Sequence, residues 1–127
     1  MEKDYLDLYS ADYHIGQTVE ENPDEYKRRS PVYNAYKLQT PLLIHTNTND
    51  EDVRVIEVKM LIDTFKSLNK DFEYEVFEEL PGGHSFDRQD TKLAVSIRLK
   101  IYKFIEKYLT PPRTFNSVEE IRKSVYR

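Results

Sequence analysis

The chain has 127 residues, 39% apolar and 33% charged, which suits one globular domain or part of a larger one. Its net charge of −4 is spread over mixed signs, with no basic block of the kind that neutralises nucleic-acid phosphates, so no nucleic-acid partner is expected. No cysteine is present, which excludes disulfides and thiolate metal sites, and no apolar run is long enough to span a bilayer.

Residues 1–30 read as an irregular, partly helical lead-in. Met1 to Tyr5 is acidic and lacks the apolar core of a signal peptide, which leaves a cytoplasmic protein or an internal piece of a longer, exported precursor. Asn22-Pro23-Asp24-Glu25 predicts a helix start, with Asn22 as cap, Pro23 in the first turn and two acids at the positive end of the helix dipole. Ser30-Pro31 should end that helix after Arg29, because a residue before proline is pushed out of the α region.

Pro41 opens a first strand, where a missing N–H is tolerated. Leu42-Leu43-Ile44 is a continuous apolar run, and it predicts a parallel strand covered on both faces. The strand then runs into the polar loop His45-Thr46-Asn47-Thr48-Asn49-Asp50-Glu51-Asp52. From Val55 to Leu68, apolar residues at 58, 61, 62, 65 and 68 recur at helical spacing, and Asn69 is a candidate left-handed cap. Phe72 to Phe77 alternates and predicts a second strand, followed by the loop Leu80-Pro81-Gly82-Gly83-His84-Ser85-Phe86.

A long helix is predicted from about Asp87 to Leu109, burying Leu93, Ile97, Ile101, Phe104, Ile105 and Tyr108. Thr110-Pro111-Pro112 stops it, and Asn116 to Ile121 within the 110–127 tail reads as one more short capped helix. Strand, helix, strand, helix in that order implies a right-handed crossover and parallel pairing. Two strands make a poor independent parallel sheet, and the first wants a neighbour on its other side. An α/β class follows, with residues 1–127 as the C-terminal portion of a larger domain.

Four blocks carry a resemblance: Arg29-Ser30-Pro31-Val32-Tyr33, Thr40-Pro41-Leu42-Leu43-Ile44-His45, Asp50-Glu51-Asp52-Val53 and Gly82-Gly83-His84-Ser85-Phe86. Together, from about Tyr26 to Leu109, they resemble the prolyl oligopeptidase family of serine peptidases. The resemblance implies a partial α/β-hydrolase fold and a Ser-Asp-His triad that cleaves peptides through an acyl-enzyme. In that family a strand ends in His-Gly-x-x-Asp-x-x-Val, whose Asp is the triad acid. Aligning on Val53 puts Asp50 at that position, although Thr46 replaces the usual glycine and the loop is one residue longer. Asp52 is the alternative acid. The family's Gly-His-Gly-Phe-like loop matches Gly83-His84-Ser85-Phe86 and makes His84 the base. No metal or organic cofactor is implied.

The nucleophile's Gly-x-Ser-x-Gly elbow is not in these residues, since the only glycines are 16, 82 and 83. Ser10, Ser30 and Ser85 all lack that strand-to-helix setting. The expectation is a C-terminal piece of a peptidase, contributing Asp50 and His84 and inert alone, whose peptide substrate is engaged through the absent catalytic half. The competing expectation is a non-catalytic, hydrolase-derived module that pairs its bare sheet edge with a partner or with a second copy as a homodimer. Apart from the resemblance, Asp50 reads as a loop acid capping the next helix and His84 as a surface histidine in a glycine-rich turn. His45, at the end of an apolar strand, reads as structural. A calcium loop fails on its own pattern: Asn47, Asn49 and Glu51 sit at positions one, three and five, but Asp52 stands at six and Val58 at twelve.

Overall fold

A computed structural model of the chain describes residues 14–125; the part of the lead-in before His14, Ser10 included, lies outside them. Helix α1 (Pro23–Arg29) is followed by a 3-10 turn (Ala35–Lys37), strand β1 (Leu42–Asn47), helix α2 (Val55–Ser67) and strand β2 (Phe72–Phe77). A second 3-10 turn (Gly83–Arg88), helix α3 (Lys92–Glu106) and helix α4 (Val118–Val125) complete the order. The chain forms two compact units, Met1–Thr40 with Met60–Asp71 and Pro41–Lys59 with Phe72–Arg127, the division falling inside α2.

In the first unit the start of α1 follows from its caps. The Asn22 side chain accepts from the Glu25 amide at 3.3 Å, Pro23 opens the helix, and Ser30 leaves it in an extended conformation. Among the described residues of this unit the buried ones are Ala35 in the 3-10 turn and Ile62 and Phe65 of α2. Asn69 ends α2 in the left-handed region at φ 50°. The next residue, Lys70, anchors its ammonium on the Leu38 carbonyl at 2.8 Å.

The second unit holds a two-stranded parallel sheet, with β1 and β2 in register from Leu42 opposite Phe72 to Asn47 opposite Phe77. The expected continuous cover of β1 is only partly realised: Leu42 to His45 are half-buried, and burial is complete only at Thr46 and Asn47. The physical reason is that β1 has a strand on one side only among the described residues. Beside it lies a cleft of about 290 Å³ lined by Pro41, Leu42, Leu43, Ile101 and Phe104.

Helix α3 departs from the expected span at both ends. Residues 83–88 form a tighter 3-10 turn, Gln89 is extended, and Thr91 caps the helix by accepting from the Ala94 amide at 3.1 Å. The helix therefore begins at Lys92 and closes at Glu106. Its buried face keeps part of the expected stripe and departs at both ends. Ile97 is buried as expected, Ile101 and Phe104 are half-buried, and Ala94 and Val95 are buried in addition at 1% exposure. Leu93 (49%), Ile105 (39%) and Tyr108 (50%) are exposed. The exposed residues sit in the first or last turn of the helix or just beyond it, and Tyr108 packs its ring edge-on against Phe104 at 5.2 Å. Helix α4 is capped by Ser117, whose hydroxyl accepts from the Glu120 amide at 3.2 Å, and it packs against α3 with Ile121 buried.

Among the described residues no helix is long and apolar enough to cross a membrane.

Candidate active site

The site grows out of the two C-terminal strand ends of the parallel sheet. Beyond Asn47 and Phe77 the ladder continues by one bond, the Thr48 amide donating to the Phe77 carbonyl at 2.9 Å. The chain then turns back on itself, with the Asp50 amide donating to the Asn47 carbonyl at 3.1 Å. That turn brings the Asp50 carboxylate inward, and Asp50 is buried. Its Oδ1 accepts from the amides of Asp52 (3.0 Å) and Val53 (2.9 Å), so it is occupied before α2 begins and does not cap that helix.

After β2, Glu79 turns at φ 48° and its amide donates to the Thr48 hydroxyl at 2.9 Å. Gly82 and Gly83 follow at φ 104° and 52°, conformations in which a side chain is strained, and they swing His84 back over the first loop. His84 Nδ1 lies 2.8 Å from Asp50 Oδ2. Because the partner is a carboxylate, Nδ1 carries the proton and donates it, which leaves Nε2 as the acceptor of the neutral ring. Nε2 hydrogen-bonds to none of the described residues, and the side chain is 46% exposed.

Electrostatics follow the geometry. Burial pushes the Asp50 carboxyl up, but the Val53 amide, the His84 bond and the Asp52 amide together outweigh it and hold the group below the ordinary carboxylate range. The bond to Asp50 and its negative charge raise His84 above the ordinary histidine value, with Asp52 adding to the rise and Arg88 opposing it.

Of the two acids left open by the sequence, Asp50 is the one that meets His84. Asp52 contributes its backbone amide to Asp50, while its own carboxylate is exposed. His45 stands apart: its ring packs edge-on against Phe77 at 5.4 Å, its Nδ1 is buried without a hydrogen-bond partner, and burial lowers its pKa. It lines a cleft of about 340 Å³ with Glu75 and Lys100 that neither Asp50 nor His84 reaches. No described serine hydroxyl hydrogen-bonds to His84; those of Ser67, Ser96 and Ser124 donate to carbonyls within their own helices. Among the described residues no group of three or more His, Cys, Asp or Glu side chains is placed to hold a metal ion.

The family model described as the prolyl oligopeptidase family matches residues 1–111. The chain belongs to that family. The match extends the resemblance read between Tyr26 and Leu109 to almost the whole chain, and it implies an α/β-hydrolase-like fold with which the parallel strand pair and its helices are consistent. No curated protein and no solved structure matches the chain.

One residue of this prolyl oligopeptidase family domain was missed by motif reading. Asn47 is 0% exposed and bonds across to the His84 loop. Its only sequence signal is an amide placed at the end of an apolar strand, where a buried polar side chain must find partners.

Proposed function

We propose that this chain supplies the acid and the base of a serine-peptidase triad, Asp50 and His84, to a nucleophilic serine that lies outside these 127 residues. The observation that carries the reading is the 2.8 Å contact between Asp50 Oδ2 and His84 Nδ1, which leaves Nε2 as the free acceptor of a half-exposed ring. In the assembled enzyme Nε2 takes the proton of the serine hydroxyl as the oxygen attacks the scissile carbonyl, then returns it to the leaving amine. Asp50 keeps the proton on Nδ1 and stabilises the imidazolium that forms. The substrates are peptides or acyl-peptides. Family membership supports this chemistry, and the C-terminal portion of an α/β-hydrolase fold is the piece that would carry these two groups.

Triad members act as a unit, so the 127-residue chain alone has no hydrolytic activity on this reading. A fluorophosphonate probe, which traps activated serines, tests it with His84→Ala as control. No labelling of the chain is expected; labelling that disappears in His84→Ala places an activated serine inside these residues and overturns the reading. The positive arm extends the chain with the sequence encoded upstream of Met1 in the same frame. That segment should contain a Gly-x-Ser-x-Gly elbow and label in a manner lost in both Asp50→Ala and His84→Ala.

A second reading, a non-catalytic module that pairs its sheet edge with a partner or a second copy, is favoured by one observation. The free side of β1 adjoins the apolar cleft of Pro41, Leu42, Leu43, Ile101 and Phe104. Sedimentation tests the self-pairing form of this reading: a dimer dispersed by Leu43→Lys supports it, and a monomer at micromolar concentration removes it.

A further inference from the structure

We infer that Asn47 is a positioning residue for the Asp50–His84 pair, acting as a clamp that holds the two loops at one distance. The inference rests on the reading of that pair as triad acid and base. Asn47 reaches both loops at once. Its backbone carbonyl accepts the Asp50 amide at 3.1 Å, which fixes the turn that carries the acid. Its side chain spans to the other loop: Oδ1 accepts from the Leu80 amide at 3.0 Å, and Nδ2 donates to the Leu80 carbonyl at 2.9 Å and the Gly83 carbonyl at 3.2 Å. These partners bracket the approach to His84, Gly83 being its immediate neighbour.

The amide can stand only one way round. Its partners across the gap are one donor and two acceptors, and a flipped amide would set N–H against the Leu80 N–H and oxygen against two carbonyls. A fully buried amide with three satisfied bonds is costly to disturb, because each partner it leaves is desolvated. Past His84 the loop it holds is tied by the Ser85–Gly82 bond and by Phe86 buried against Phe77, but its approach to His84 is free by composition. Gly82 and Gly83 both stand at positive φ, and glycines give an untied loop many conformations. Asn49 adds one longer bond, 3.3 Å, to the Leu80 carbonyl alone. On the far side of His84, Arg98 of α3 donates to the carbonyls of Asp87 and Gln89, which fixes where the loop rejoins the helix but not where it approaches Asp50. Without Asn47 the acid and base loops lose their direct side-chain bridge to Gly83. The Thr48–Glu79 bond and the packing of Phe86 on Phe77 still hold the loops near each other. Nothing of equal reach then sets the approach of His84 to Asp50, and the 2.8 Å contact weakens.

The test is a proton and nitrogen NMR titration of His84 in the 127-residue chain, compared among wild type, Asn47→Ala, Asn49→Ala and Asp50→Asn. The ring is faced by Asp50, Asp52 and Arg88, all retained in the two asparagine variants. In Asn47→Ala the raised His84 pKa is expected to fall toward the ordinary histidine value, and the low-field Nδ1 proton to vanish, while the circular dichroism is kept. Asn49→Ala should leave both signals in place. An unchanged His84 in Asn47→Ala, with loss of both signals in Asp50→Asn, overturns the clamp and leaves the acid–base pair standing. An unchanged His84 in Asp50→Asn overturns the pair itself. If Asn47→Ala does not fold, solvent exchange of the Asn47 side-chain amide protons in the wild type decides: slow exchange supports a doubly donating buried amide, and exchange at the rate of a free amide overturns the clamp.

Discussion

Asp50 and His84 stand 34 residues apart in the chain and meet at 2.8 Å across the ends of two parallel strands. The contact is possible because β1 and β2 run side by side in register, so that the loops leaving Asn47 and Phe77 start as neighbours. Sites of α/β sheets gather at this end for that reason.

The pair should leave a pH signature in stability. Asp50 titrates below its unfolded value, so its contribution is complete above about 3.9 and fades as pH falls through the folded value. His84 titrates above its unfolded value, so its contribution is complete below about 6.5 and fades as pH rises through the folded value. Both contribute together between about pH 4 and 6.5. With the His84 side chain 46% exposed, solvent screening limits the gain to about 1 kcal/mol or less. Urea unfolding of wild type and Asp50→Asn should differ most near pH 5.5 and less at pH 8.5; an equal gap at both would contradict the assignment.

His45 should act in the opposite sense. Burial lowers its pKa, so the folded chain is stable with the neutral ring above about 6.5 and loses stability as pH falls through the folded value. His45→Phe removes the titrating ring while keeping an aromatic partner for Phe77. The stability difference between variant and wild type should grow in favour of the variant from pH 7 to pH 5, and a flat difference would refute it.

Gly82→Ala should destabilise by about 1–3 kcal/mol, because φ 104° is a region that side chains avoid. An added Cβ would also stand 2.7 Å from Gln89 Nε2. Adding Gln89→Ala relieves that contact and also removes the Gln89 bond to the Ser85 carbonyl, so the double variant, read against Gln89→Ala, should recover part of the loss and no more. Thermal unfolding of these variants measures the split. Full recovery would mean the backbone conformation carries no strain.

The buried face of α3 gives the cleanest contrast. Ile97→Ala, at 1% exposure, should cost about 2–5 kcal/mol. Leu93→Ala, at 49% exposure, should cost about 0.5 kcal/mol or less. Equal losses in denaturant unfolding would restore Leu93 to the buried stripe drawn from spacing.

The order of elements was legible in the sequence because local chemistry decides it. Asn22 with Pro23, Asn69 after α2, the alternation of Phe72 to Phe77 and the capped helix after Ser117 each depend on residues within one turn of one another, and each stands where those residues put it. The motifs Asp50-Glu51-Asp52-Val53 and Gly82-Gly83-His84 singled out two loops that the fold brings together. Spacing failed at the ends of α3, since a 3.6-residue period cannot tell a 3-10 turn from the first turn of a helix, nor say which flank of the stripe finds a neighbour. Only the tertiary structure decided that Asp50 and not Asp52 meets His84, and that a buried Asn47 ties one loop to the other. Those outcomes depend on strands paired 30 residues apart, where a carboxylate's direction is set by the backbone amides that reach it first.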